Sequence, residues 1–357
     1  MKPSIFLPAA LILLVSSGVW ARTWYVTPGG TGDAPTIQAG IDSAAAGDTV
    51  LAACGTYYEH DILMRSGVCL RSENGDPLCA TIDAQGQGRV IYCDNVDWDT
   101  AIEGLTVTGG YSGPGDVGGA GIWCSGYSCP GFENLIITAN ETDGSGGGMY
   151  CWGYFSLRLI NVSFIQNSGR WGGGLQVSGE GSDQAVRLTD VMFKENSAEY
   201  GGGFDFCDLD TIVMTNLTFT GNAATVAGGA MSVGGIFTSE RYWRANDCLF
   251  QANTAHDGGA VYTWDSHGVF ENCTFNGNSA QGGGALFMWW GWCPVFRHCT
   301  FYGNSASYGS CMYTEGNDIY HSIIAYGTGG PVISAPYDIG IMCSDIYGNE
   351  GGDWIDN

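Results

Sequence analysis

The chain has 357 residues, of which 58 are glycine, about twice the usual share, with no Gly-X-Y period, so a collagen-like rod is excluded. Only 13% of residues are charged, and acids outnumber bases 36 to 12, a net charge of −24. Such a surface repels nucleic acid, anionic membranes and, unless cations bridge the two, polyanionic polysaccharides; equally, net acidity keeps an exported chain soluble.

The first residues read as a leader. Lys2 supplies the positive end, Ile5 to Val15 a short apolar run, and Val19-Trp20-Ala21 a small-x-small cleavage site, so residues 1–21 are expected to be removed on export. No later stretch reaches 18 apolar residues, so no membrane span is expected in the mature chain. The expected location is extracellular, or the surface or outer membrane of a bacterial cell. Fourteen cysteines in an exported chain invite disulfides. No C-x-x-C pair occurs, so a zinc ribbon has no support.

Residues 22–60 form an N-terminal cap. Trp24-Tyr25-Val26 alternates like a strand, Pro35 suits the start of a helix, and Ile37, Ile41, Ala44 and Ala45 share one helical face. Thr49-Val50-Leu51-Ala52 is a further strand. An amphipathic helix here would cover the open end of a stack.

Residues 61–357 form the second region, regular from about residue 102. A phrase Phe-x-x-Asn recurs at Phe164/Asn167, Phe193/Asn196, Phe219/Asn222, Phe250/Asn253, Phe275/Asn278 and Phe301/Asn304, with Ile137-x-x-Asn140 ahead of them. Successive phenylalanines are 29, 26, 31, 25 and 26 residues apart. A Gly-Gly pair and a second short strand follow most copies, as in Gly283-Gly284-Ala285-Leu286. A repeat of this length predicts a stack of coils. Period-two alternation points the phenylalanines inward, together with the position two before them, Leu105, Leu135, Val162, Val191, Leu217, Cys248, Cys273 and Cys299. Asn140, Asn167, Asn196, Asn222, Asn253, Asn278 and Asn304 then fall at one corner as a structural ladder. Asparagine tolerates the left-handed conformation, and stacked amides can bond along the axis. A second polar column, Asn134, Asn161, Asp190, Asn216, Asp247, Asn272 and His298, lies three residues before each phenylalanine. The glycosylation sequons at Asn140, Asn161, Asn216 and Asn272 are by-products of this repeat.

Gly-Gly-Ala-[Ile/Leu/Val] paired with Phe-x-x-Asn resembles the polymorphic outer-membrane protein repeat, and the coils as a whole resemble the pectin-lyase-like superfamily. The resemblance covers residues 100–310 well. It implies an all-β fold, a single-stranded right-handed parallel β-helix (solenoid) with an N-terminal capping helix. It does not specify an activity. The chain stops at Asn357, one strand into a coil, either truncated there or capped in a way the pattern does not reveal.

The second strand of each coil carries unusual outward residues. Tyr262, Phe287 and Tyr313 form an expected exposed ladder with Trp264 and Trp289 beside it, and Tyr150 and Trp152 occupy the same positions on an earlier coil. Exposed aromatic stripes mark contact sites, and flat rings suit the apolar faces of sugars; alternatively a loop covers them, or they only stabilise the sheet. Asp205, Asp208 and Asp210 lie near this face and are weak catalytic candidates, since glycoside hydrolysis needs two carboxylates. The Asn-Thr-Asp, Asp-Asp and Gly-His-Gly motifs of polygalacturonase-like members do not occur, and no base supports lyase chemistry. Calcium-type repeats are absent, so neither a cofactor nor a metal is expected. Cys248, Cys273 and Cys299 share one inward column, and Cys124 and Cys151 another. Either neighbouring coils are disulfide-linked there, or these are small buried hydrophobes. Cys124 and Cys129 are close enough in sequence to close a loop. The leading expectation is a non-catalytic, adhesin-like module that binds a polysaccharide or a surface protein. The alternative is a carbohydrate-active lyase or hydrolase.

Overall fold

The computed structural model describes residues 21–353, 355 and 356, except 129, 154, 155, 180–183, 236–241, 292, 317 and 336–338. The expected leader therefore lies outside the described residues, apart from Ala21. The chain is a right-handed parallel β-helix of about twelve coils, with one short helix among the described residues. One sheet is twelve strands deep, from Ile62–Leu63 to Ile355–Asp356. The other large sheet holds two rows of strands, and the long strands Gly131–Thr138 and Ser156–Ile165 run through both rows. All pairings in these rows are parallel and in register, so each residue sits above its counterpart one coil earlier, as Phe219 over Phe193.

A coil therefore has strands beyond the two that the repeat marks. In the coil around Phe275, Gly268–Glu271 precedes Thr274–Asn276, Ser279–Gly282 follows it, and Leu286–Met288 comes after the glycine corner. The turn between the first two strands is made by Asn272 at φ 55°. The same left-handed conformation occurs at Asn134, Asn161, Asp190, Asn216, Asp247 and His298, the second polar column. The ladder asparagines do not adopt it. The residue before each one does: Ala139, Gln166, Glu195, Gly221, Ala252, Gly277 and Gly303. The strained position and the buried amide are thus separate residues, which leaves the ladder side chain free to bond across coils.

The ladder runs through seven coils. Each Asn Nδ2 donates to the Oδ1 of the next, from Asn140→Asn167 at 3.0 Å to Asn278→Asn304 at 3.0 Å. Each Oδ1 also accepts the preceding asparagine's backbone N–H, as Asn196 N→Asn222 Oδ1 at 3.1 Å. The second Nδ2 hydrogen reaches a carbonyl one coil further back, as Asn222→Phe193 O at 2.9 Å. These side chains are buried with both functional atoms bonded, the condition under which a polar group inside a protein specifies structure rather than weakening it.

Beside the ladder, the phenylalanine rings from Phe164 to Phe301 stack with centroids 4.7–5.0 Å apart and planes within 7°. That spacing is the parallel-strand repeat, so register and ring stacking enforce each other. Phe270 and Phe296 meet the column edge-on.

The helix Ile37–Ser43 starts at an N-cap, Thr36, whose side chain accepts from Ala39 N. Glu59 also receives Ile37 N at 2.8 Å and Gln38 N at 3.1 Å, which satisfies the other exposed amides of the first turn. Ile37 and Ile41 are buried, but the helix ends before Ala45, which is exposed.

Cys54 and Cys79 form a disulfide joining the first coils, a pair the repeat pattern does not mark because it lies outside the regular columns. Cys124, Cys151, Cys248, Cys273 and Cys299 are not in disulfides. In-register stacking aligns their Cβ atoms side by side at about the 4.8 Å strand spacing, wider than the 3.5–4.5 Å a disulfide favours. Instead Cys273 Sγ donates to Ala245 O, and Cys299 Sγ to Phe270 O. The hydrogen bond with the preceding cysteine of the column, and then burial, pushes the pKa values of the Cys273 and Cys299 thiols up. Cys129 lies outside the described residues.

Candidate functional site

The outward residues of the twelve-stranded sheet stack in register as Tyr150, Gln176, Asp205, Ser232, Tyr262, Phe287 and Tyr313. The aromatic positions are therefore split. Gln176, Asp205 and Ser232 separate Tyr150 from Tyr262, and Trp152, exposed and paired with Ser178, stays with Tyr150. Tyr262, Phe287 and Tyr313 do stack, with centroids 5.9 and 4.6 Å apart, but Phe287 is only 7% exposed. Its two neighbours and Trp289 enclose it, so the expected open ladder is instead a buried ring between two half-buried tyrosines, with Trp289 exposed beside it.

The polar gap is the floor of a cleft of about 430 Å³. Asp205, Ser232 and Gly234 line its base. Tyr262, Trp264, Trp289 and Trp290 form one wall, and Trp171 and Tyr200 the other. Trp289 and Trp290 are half or more exposed. Gly234 is required here, because a Cβ on it would overlap the indole nitrogen of Trp264. Trp171 and Tyr200 come from the segment before the glycine corner, where they are bridged to each other on adjacent coils. The Arg170 guanidinium lies 4.3 Å over the Trp171 ring and bonds Glu199 at 3.1 Å, outside the cleft lining. The sequence pattern misses Trp171, Tyr200 and Trp290 because they fall outside both strands of the repeat. The only sequence signal of Trp171 and Tyr200 is an aromatic residue just before a Gly-Gly corner, and that of Trp290 is its place in the Trp289-Trp290-Gly291-Trp292 run.

Asp205 is 8% exposed. Burial pushes its carboxyl up to about 7, although hydrogen bonds from Ser232 and Gln176 favour the charged form. Desolvation wins because no cation lines the cleft among the described residues. Asp205 also contributes to raising the Cys207 thiol to about 12, after burial. Asp208, left-handed at φ 56°, and Asp210 are half-buried and do not line the cleft. Asp210 accepts the backbone N–H of Gln184 at 3.1 Å, which ties it to the preceding coil. The three acids proposed from sequence are thus not a converging set in this cleft. Among the described residues that line it, Asp205 is the sole carboxyl.

Across Trp289 lies a second cleft of about 500 Å³, lined by His256, Asp257, Gln281, Tyr308 and Tyr313 among others. His256 Nδ1 lies 3.1 Å from Asp257 Oδ1.

Comparison with known proteins places these coils. A model of the right handed beta helix region matches residues 79–238, and one of the Chlamydia polymorphic membrane protein repeat matches residues 272–288. No curated protein matches. The crystal structure of pectate lyase Pel9A superposes with a TM-score of 0.52 at 17% identity, over 82% of this chain and 79% of that one. This is a likeness of fold alone. The A-module of Azotobacter vinelandii mannuronan C-5 epimerase AlgE4 gives 0.38 at 11% identity, over 87% of this chain and 93% of that one, too low to carry an argument. The chain is a right-handed parallel β-helix, similar in fold to pectate lyase, with a segment at residues 272–288 that matches the polymorphic membrane protein repeat.

Proposed function

We propose that the protein is a non-catalytic glycan-binding module, exported and displayed at a cell surface. The observation that carries this reading is the cleft itself: tryptophan and tyrosine walls above the polar floor of Asp205 and Ser232. Aromatic faces accept the C–H faces of a sugar ring, and the floor supplies hydrogen bonds that fix its orientation. The membrane-protein repeat supports surface display. Among the described residues no helix is long and apolar enough to cross a membrane. The test is a glycan array read with the mature protein and a Trp264→Ala/Trp289→Ala variant. Binding by the first and its loss in the second is expected; equal signals would remove this cleft from the reading.

A second reading is favoured by Asp205, because a carboxyl held near neutrality is the kind of group that serves as a general acid. It would make the protein a polysaccharide hydrolase or lyase. The single cleft carboxyl speaks against hydrolysis by a carboxylate pair. Product formation from a polysaccharide panel, abolished by Asp205→Asn, would replace the binding reading with this one.

A further inference from the structure

We infer that the two clefts are lobes of one groove that takes an uncharged oligosaccharide along the coil axis, with Trp289 as their shared wall. This deepens the glycan-binding reading and rests on it.

Continuity comes from Trp289, which lines both clefts and is 58% exposed. The sheet face beneath both lobes is also continuous, because Asp205, Ser232, Tyr262, Phe287 and Tyr313 follow one another in register. Four coil steps separate the first from the last, about 19 Å at the parallel-strand spacing. That length suits a chain of sugars rather than one ring. Tyr308, 59% exposed, stands on the far lobe as Trp290 stands on the near one.

Charge selects the ligand. No lysine or arginine lines either lobe among the described residues. The one histidine, His256, is already beside Asp257. The near lobe is floored by a buried carboxyl, and the whole chain carries −24. A uronate would bring its carboxylate against Asp205 with no cation to offset either, a burial that costs more than it returns. A neutral sugar meets no such penalty. Its hydroxyls can donate to Asp205 and both donate to and accept from Ser232.

The test is titration calorimetry at pH 7.5 with neutral gluco-, xylo-, manno- and galacto-oligomers, two to six sugars long, beside galacturonate oligomers of equal length. For at least one neutral series, affinity should rise ~10-fold or more from dimer to hexamer, about 1.4 kcal/mol. Tyr308→Ala should cut that gain to under ~3-fold, about 0.7 kcal/mol. Galacturonates should bind at least ~10-fold more weakly, also about 1.4 kcal/mol. Neutral oligomers that bind with no gain in length, or a gain untouched by Tyr308→Ala, would overturn the two-lobed groove while leaving glycan binding intact. Galacturonates that bind as well as neutral sugars would overturn the selection. No binding by either class would take down the glycan reading and this inference together.

Discussion

At the scale of single residues, two buried polar groups behave in opposite ways. The ladder asparagines are fully bonded, so they add stability and fix register. Asn222→Ala would leave Asn196 N–H and Phe193 O buried without their partners. A loss of about 3 kcal/mol is expected in chemical denaturation, whereas Asn161→Ala, at an exposed position held left-handed at φ 51°, should cost only about 1 kcal/mol. Asp205 is a buried acid whose carboxyl is pushed up to about 7 in the fold, so the folded state holds its proton more tightly than the unfolded chain does. Its contribution is therefore complete below the ordinary carboxylate value near 4 and is lost as pH rises through about 7. Asp205→Asn should remove that loss. The thermal midpoint of the variant relative to the parent should climb between pH 4 and pH 8, equivalent to on the order of 3 kcal/mol. A flat difference would mean that Asp205 ionises normally.

At the scale of the element, each coil combines a ring that fills the core with a corner that lets the backbone turn. Phe219 lies between Phe193 and Phe250 with planes within 7° of each, and has no access to solvent. Phe219→Ala should cost about 3–5 kcal/mol. Gly228 turns the chain at φ 68°, and a Cβ on it would overlap the Met231 carbonyl. Gly234 has a different task. It leaves space for the Trp264 indole, so Gly234→Ala should displace that ring. Tryptophan fluorescence should shift and any glycan affinity should fall, with a thermal midpoint little changed. An unaltered spectrum would show that Trp264 does not depend on this glycine.

At the scale of the whole molecule, coils contact mainly their neighbours, so stability accumulates along one axis and the ends need protection. The helix over Ile37–Ser43 packs on the first coils through Ile37 and Ile41. The surface carries −24 with few compensating ion pairs. Raising salt from about 0.01 M to about 0.15 M, which shortens screening from about 30 Å to about 8 Å, should therefore raise the melting temperature by a few degrees. A fall would place the dominant charge effect in the scattered attractive pairs, such as Arg170 with Glu199.

How much was legible follows from what repeats. Phe-x-x-Asn and Gly-Gly recur because every coil must solve the same local problem: fill the centre, bond the corner amide, turn the backbone. Those requirements are periodic, so the chain alone determined the parallel stack, the inward phenylalanine column and the alignment of Asn140 to Asn304. The left-handed residue beside each ladder asparagine was less legible, because Ala139, Gln166, Glu195 and Gly221 share no chemistry beyond that backbone angle. The cleft was least legible, since it is built from departures from the repeat. Asp205 and Ser232 interrupt an aromatic column, and Trp171, Tyr200 and Trp290 lie outside the two strands that the repeat marks. Only the tertiary structure decided that these residues meet, that Phe287 is enclosed, and that Asp208 and Asp210 stand apart. Packing between coils and their corner segments fixes those distances, and a periodic sequence pattern carries no information about contacts made off its period.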